Sequence, residues 1–232
     1  LASVVSRLEG VASTLNANSN SIQSLRQDAD IAIARDIDVL NAALQQVDAL
    51  NKDIVRISGS GDDPSALLDA RQRAVDQISG IVPVREVARD NGSIGLMTTS
   101  GTPLLDSRPR EFGFQRTPTI TADMTLASSA LGAITMDGKV LDAGTGVGRL
   151  EGGSLGAAFA LRDHTLVEAQ AALDGIAADL IARFQDSAND PSLTPGDIGL
   201  LTDQGNPLDL LDLPGLAGRI AVNPDLIVSQ GG

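Results

Sequence analysis

The sequence predicts an α+β protein: an elongated helical rod of long, coiled-coil-like helices packed antiparallel, with a β-hairpin or meander and a small β-rich inserted domain. Three observations predict it. Apolar residues recur at helical spacing from Leu8 to Ile57 with no proline among them. A period of two takes over between Ile81 and Thr98. A further helical pattern then resumes after a glycine-rich stretch at 144–156.

The first pattern runs through Leu8, Val11, Leu15, Ile22, Leu25, Ala29, Ile33, Ile37, Leu40, Leu44, Val47, Ile54 and Ile57, one face of a helix. At 1.5 Å per residue, about 58 residues would extend on the order of 85 Å. Only Gly10 interrupts it before Gly59, and no capping-box signal marks a start, so the sequence reads as a helix entered part-way. Poor helix formers cluster at Asn16-Ala17-Asn18-Ser19-Asn20-Ser21. Asn18 falls on the apolar stripe, either as a polar register-setting position of a coiled coil or as a solvated patch.

Ser58-Gly59-Ser60-Gly61-Asp62-Asp63 ends this helix, and Asp63-Pro64 supplies an N-cap and a first-turn proline for the next. The second helix is expected at 64–79, with Leu68, Arg71, Val75 and Ile78 on one stripe and Gly80 as its C-terminal cap. The short loop implies antiparallel packing on the first helix. Val82 and Val84 then alternate, Asn91-Gly92 signals a tight hairpin, and Ile94, Leu96 and Thr98 alternate on the return. A turn at Ser100-Gly101-Thr102-Pro103 leads to Leu104-Leu105 and completes a small meander.

Residues 107–150 are less regular, with a second hairpin at Ile134-Thr135-Met136-Asp137-Gly138-Lys139-Val140-Leu141. The expected organisation is a helical rod domain of residues 1–106 and 151–232, with its hairpin at 81–106, and a β-rich insertion at 107–150. Thr165 and Glu168 have capping-box spacing, and Leu166, Ala169, Leu173, Ile176, Leu180 and Phe184 form the third helical stripe. Full burial of one Leu or Ile is worth about 1.5–3 kcal/mol, so a charge at Leu40 or Leu173 is expected to be severe. The tail beyond Pro191 is rich in turn residues, with one short strand expected at 219–222.

Composition narrows the function. The net charge is −13, and lysine occurs only at 52 and 139, which argues against nucleic acid and against an anionic membrane surface. The fifteen arginines are scattered and mostly sit near acids, as at Arg35 and Asp38, while Asp48 and Lys52 form an i,i+4 pair. No cysteine is present, which removes disulfides, thiolate metal sites and cysteine nucleophiles. No cleavable signal peptide opens the chain, and no apolar run reaches the roughly 20 residues of a membrane span.

Chemistry-bearing motifs are weak. Gly144-Thr145-Gly146-Val147-Gly148 lacks the third glycine of a dinucleotide fingerprint and the Gly-Lys pair of a phosphate loop, so a flexible connector is expected. His164 is the only histidine and no G-x-S-x-G elbow occurs, so His164 reads as a surface residue. Asp28/Asp30 and Asp36/Asp38 are two apart on a helix and diverge, and 203–212 lacks the calcium-loop pattern. Paired carboxylates for glycoside hydrolysis remain open among thirty acids, but the absence of Trp and Tyr argues against a sugar cleft. No catalytic, cofactor-binding or metal-ligating residue is predicted, and no cofactor.

Two ordered blocks carry a resemblance. Ser65-Ala66-Leu67-Leu68-Asp69-Ala70-Arg71-Gln72-Arg73-Ala74-Val75-Asp76-Gln77-Ile78-Ser79 resembles the DLLDxRDxxxxxLS segment of the flagellar hook-associated protein FlgK family. The stretch from Gly152-Gly153-Ser154-Leu155-Gly156 through Arg162-Asp163 to Gln170 is similar to that family's GGxLGxLLxxRDxxLxxxQ segment. Gln72-Arg73 departs from the usual Asp-Gln, and Ile198-Gly199-Leu200-Leu201 stands where an aromatic GxFF is expected. The terminal assembly helices of the family are also not matched.

The resemblance implies a non-enzymatic structural subunit of the bacterial flagellum at the junction of hook and filament, exported by the type III apparatus and located outside the cell. The partners it implies are the hook protein, a second junction protein, copies of itself in a ring or helical zone, and an export chaperone. The alternatives are a flagellin or the second junction protein itself and, from another class, a carbohydrate-active enzyme.

Overall fold

The computed structural model describes residues 2–141, 150–194 and 196–226. The expected connector at Gly144–Gly148 lies outside these residues. The elements are α1 (Ala2–Ser60), α2 (Ser65–Ile81), β1 (Val84–Ala88), β2 (Ile94–Thr98), β3 (Pro103–Leu105), β4 (Phe112–Phe114), β5 (Ile134–Met136), β6 (Lys139–Val140), α3 (Gly153–Ala160), α4 (Leu166–Gln185), β7 (Leu201–Asp203), α5 (Leu216–Arg219) and β8 (Ile220–Val222). The architecture is α+β, as the sequence predicts.

Helix α1 is one uninterrupted element of 59 residues. Its inner face follows a strict seven-residue repeat: Val5, Ala12, Ser19, Arg26, Ile33, Leu40, Val47 and Ile54 are all buried. That is the period of a coiled-coil seam. Polar members occupy two of the positions, and here the sequence reading departs from the structure. Val11 and Leu25, expected on the stripe, are 42% and 49% exposed, while Ser19 and Arg26 are inside. Asn18 is exposed and its neighbour Ser19 takes the seam. At Asn18 and Leu25 the expected stripe stands one residue off because the inward residue is the polar Ser19 or Arg26; at Val11 the inward residue is Ala12.

Helix α2 starts one residue later than expected, but Asp63 still serves its start: Oδ1 accepts the Ser65 amide at 3.0 Å and the Ser65 hydroxyl. Its buried face is Ala74, Val75, Ile78 and Ile81, and Leu68 is exposed. Gly80 lies within the helix, which ends instead at extended Val82. Strands β1, β2 and β3 form the expected antiparallel meander. In its first turn only Gly92 takes positive φ, at 83°, so the loop is not the two-residue mirror-image turn that Asn-Gly suggested. That turn occurs at Asp137-Gly138, with φ of 50° and 79°, between β5 and β6.

The third helix differs most. It begins at Gly153, and a π-helical turn at Leu161–Thr165 joins α3 to α4. Thr165 is therefore helical and caps nothing. The buried face of α4 is Leu166, Gln170, Asp174, Ala177 and Ile181, while Ala169 and Ile176 face solvent and Leu173 is half-buried. The strand expected at 219–222 is β8, paired with β7.

The packing divides into two compact units. Among the described residues, unit 1 lies within 1–26, 120–123 and 164–232, and unit 2 within 27–119 and 124–163. The core of unit 1 contains Leu15, Ile181, Leu201, Leu216 and Ile220. The core of unit 2 joins Ile33 to Val47 of α1 with Ile78, Leu96, Leu104, Leu155 and Phe159. Phe112, Ile134 and Leu150, from the segment read as an insertion, belong to that same core.

Candidate functional site

The chemically distinctive feature is a set of polar side chains that point inward, and the two sequence blocks supply much of it. In unit 2, Arg162 on the π-turn is fully buried beside Asp30 of α1, with NH1 2.6 Å from Oδ1. Its Nε and NH2 donate to Asp163 at 2.8 and 2.9 Å, and NH2 also reaches the Gly132 carbonyl at 3.0 Å. The second oxygen of Asp30 accepts the Thr117 amide at 2.9 Å. Phe159 and Phe114 face the guanidinium at 4.9 and 5.6 Å and stack edge-on to each other. A buried charge tolerates such a place only when paired and hydrogen-bonded, as this one is.

Two asparagines of α1 act as surrogate strands. Asn41 donates to the Phe112 carbonyl at 2.7 Å and accepts the Phe112 amide at 2.9 Å, docking β4. Asn51 does the same for Ile94 of β2, at 2.8 and 3.1 Å. Arg71, from the first block, bridges Asn51 Oδ1 at 3.0 Å and the Gly92 carbonyl at 2.9 Å, and burial lowers its pKa. One arginine thus ties α2 to α1 and to the first hairpin.

The paired glycines of the second block are explained by space. A Cβ on Gly153, whose φ is 60°, would lie 2.2 Å from the Ile81 carbonyl oxygen. One on Gly152 would lie 2.8 Å from Pro83 Cγ. The start of α3 therefore sits directly against the end of α2 and the entry to β1.

In unit 1, Gln170 accepts from Ser19 and Gln23 and donates to Asp174 at 2.8 Å. Asp174 in turn accepts the amides of Gly215 and Ala217, both at 2.8 Å, and so caps α5. Asn16 donates to the carbonyls of Ala217 and Ile220. Arg219 holds both oxygens of Asp203 at 2.9 and 3.0 Å, and that hydrogen bonding raises its pKa. In place of the expected aromatic segment, Gly199 passes so close to Phe184 that a Cβ would meet its carbonyl oxygen at 2.1 Å.

The residues weighed for chemistry are not brought together. His164 is exposed on the π-turn. Asp30 and Asp36 point inward while Asp28 and Asp38 are exposed, so each pair diverges as its spacing requires. Arg35 pairs with Asp36 rather than Asp38, whereas Asp48 and Lys52 meet at 2.6 Å. A polar cavity of about 320 Å³ includes Asp48 and Asp106, but Lys52 and Arg89 occupy these carboxylates at 2.6 and 2.5 Å. An apolar cavity of about 420 Å³ is lined by Leu180, Phe184 and Leu200 with Arg183, Asn189 and Asp190. Among the described residues, no cluster of three or more His, Asp or Glu is arranged to hold a metal, and no helix is long and apolar enough to cross a membrane. Sequence reasoning missed the roles of Asp30, Asn41, Asn51 and Asp174; their signal was a polar residue beside, or one helical turn from, an apolar residue of a helical stripe, as with Ala29, Leu40, Val47 and Leu173.

Residues 2–196 match the family model described as the flagellar hook-associated protein FlgK helical domain. The chain is 26% identical over 104 residues to flagellar hook-associated protein 1 of Escherichia coli (strain K12), covering 44% of this chain and 19% of that protein. It is 28% identical over 115 residues to flagellar hook-associated protein 1 of Bacillus subtilis (strain 168), covering 48% and 23%. For the protein of that name from Salmonella typhimurium the values are 25% over 147 residues, 61% and 27%. The fold is similar to that of the flagellar hook junction protein FlgK from Burkholderia pseudomallei, with a TM-score of 0.65 and 24% identity over 88% of this chain and 34% of that one. The chain spans only 19–27% of the length of these curated relatives.

Proposed function

Because the chain belongs to the flagellar hook-associated protein FlgK helical-domain family, we propose that it is a structural segment of a flagellar subunit that joins hook to filament by protein–protein packing. The observation that carries this reading is the use to which the two blocks are put. Arg71, Gly152, Gly153, Arg162 and Gln170 all hold elements of the fold to one another. None of these residues lines the polar or the apolar cavity. Such residues specify a body of fixed shape, which is what a subunit in a packed array needs.

The partners that follow are the hook protein on one side, a second junction protein on the other, further copies of the same subunit, and an export chaperone before assembly. The place of action is the flagellum outside the cell, reached through the type III export apparatus, and the segment catalyses nothing.

The test is genetic. In the source bacterium, deletion of the full-length gene should leave hooks without attached filaments by electron microscopy, and restoring it should restore filaments. Normal filaments in the deletion strain would overturn the proposal. Turnover of cell-wall or exopolysaccharide substrates by the pure chain would favour the enzyme reading instead.

A further inference from the structure

We propose that Asn91 is the site at which this chain deamidates spontaneously, and that Ser93 promotes the reaction by donating two hydrogen bonds to the amide oxygen. Asn91 is exposed at the tip of the β1–β2 hairpin, and no other asparagine in the chain precedes glycine. Glycine has no Cβ to obstruct attack by its own amide nitrogen on the preceding side chain.

The geometry goes beyond the dipeptide. The Asn91 side chain is folded forward over the following peptides: its Oδ1 accepts the Ser93 amide at 3.1 Å and the Ser93 hydroxyl at 2.8 Å. Those donors polarise the carbonyl and stabilise the negative charge that grows on Oδ1 as the tetrahedral adduct forms. The Gly92 nitrogen, deprotonated by hydroxide, bonds to Asn91 Cγ. The adduct expels Nδ2, which takes a proton from water and leaves as ammonia. Water then opens the five-membered imide at either carbonyl, giving aspartate or isoaspartate. One water is consumed, one ammonia is released, and nothing is oxidised or reduced.

The fold also restrains the step. The Gly92 amide donates to the Arg89 carbonyl at 3.0 Å, and the Gly92 carbonyl accepts from Arg71 at 2.9 Å. The hairpin must loosen before the nitrogen can turn, so the folded chain reacts more slowly than the unfolded one. The turn at Asp137-Gly138 offers a contrast. The Glu111 amide and the Arg110 guanidinium keep Asp137 below the usual carboxylate range, and an ionised carboxylate has no good leaving group. Asn16, Asn18, Asn20, Asn41 and Asn51 lie within α1, whose backbone holds the following nitrogen away from the side chain. Isoaspartate at 91 would lengthen the main chain by one carbon and displace the Gly92 carbonyl from Arg71.

The experiment follows the folded chain in mildly alkaline buffer, with digestion and mass spectrometry at intervals and a parallel sample in urea. The peptide containing Asn91 should gain one mass unit ahead of every other asparagine peptide. Ser93→Ala should slow that gain several-fold in the folded chain, while Ser93→Thr, which keeps the hydroxyl, should not. Prior conversion of another asparagine would overturn the site. An unchanged or faster rate in Ser93→Ala, or equal slowing in Ser93→Thr, would overturn the role of Ser93.

Discussion

Asp30 and Arg162, 132 residues apart in the sequence, meet at 2.6 Å with neither side chain exposed. Removing Arg162 leaves the Asp30 charge in a dry interior with the Thr117 amide, which typically costs about 3–5 kcal/mol, whereas removing Asp30 leaves Arg162 still paired with Asp163. Arg162→Ala should lower the unfolding free energy from urea titration by an amount in that range, and Asp30→Ala by less, since Asp163 still holds the guanidinium. The double variant should lose less than the sum, because the second removal takes away an already uncompensated group. Additive losses would mean that the pair is not coupled.

Asp174 is the corresponding anchor of unit 1. Its carboxylate caps α5 through two backbone amides and accepts from Gln170. Asp174→Ala should cost about 1–3 kcal/mol, the range for leaving buried donors unsatisfied. Hydrogen exchange would localise the effect: the amides of Gly215 and Ala217 should lose protection, while that of Ile94 in unit 2 should not. Uniform loss of protection across both units would contradict a local cap.

The sequence is legible where local chemistry decides the outcome and illegible where a distant partner does. The length of α1, the meander, and the Asp137-Gly138 turn follow from periodicity and from residues that tolerate positive φ. Arg26 and Ser19 look like solvent residues until Thr121 and Gln170 arrive to satisfy them. The start of α3 was hidden because Gly152 and Gly153 read as breakers, whereas they permit close approach to Pro83 and Ile81. The capping-box spacing of Thr165 and Glu168 is present but unused, since a π-turn keeps the helix going through Thr165 and turns Arg162 inward. Leu40 and Leu173 also separate, one fully buried and the other half-buried, so a charge at Leu40 should be the more damaging.

Acid sensitivity has a definite sign. Hydrogen bonds from Ser65 hold Asp63 below its ordinary pKa, those from Ser192 do so for Asp190, and those from Thr194 for Asp197. A group whose folded pKa is depressed contributes stability that is fully present above its unfolded pKa, about 4. That contribution is lost as pH falls through the folded value. Urea midpoints should therefore be flat with respect to these groups at neutral pH and fall on acidification below about pH 4. The triple variant Asp63→Asn, Asp190→Asn, Asp197→Asn should show a shallower acid slope. An unchanged slope would place the acid-sensitive groups elsewhere.

Glycine positions give opposite expectations for the same substitution. Gly175 lies in the interior of α4, exposed, with nothing within 4 Å of where an alanine Cβ would stand. Gly175→Ala should stabilise by up to about 1 kcal/mol, through higher helix propensity and a less disordered unfolded chain. Gly153 has the reverse situation: φ is 60°, and a Cβ would stand 2.2 Å from the Ile81 oxygen. Relief requires moving α3 off the end of α2, which would also pull Leu155 and Phe159 out of the unit 2 core. Gly153→Ala should therefore destabilise by more than about 2 kcal/mol, through backbone strain at positive φ together with a disrupted core. Thermal melts of the two variants against the parent chain decide the matter. A neutral Gly153→Ala would mean that the close approach of α3 to Ile81 is not required by the fold.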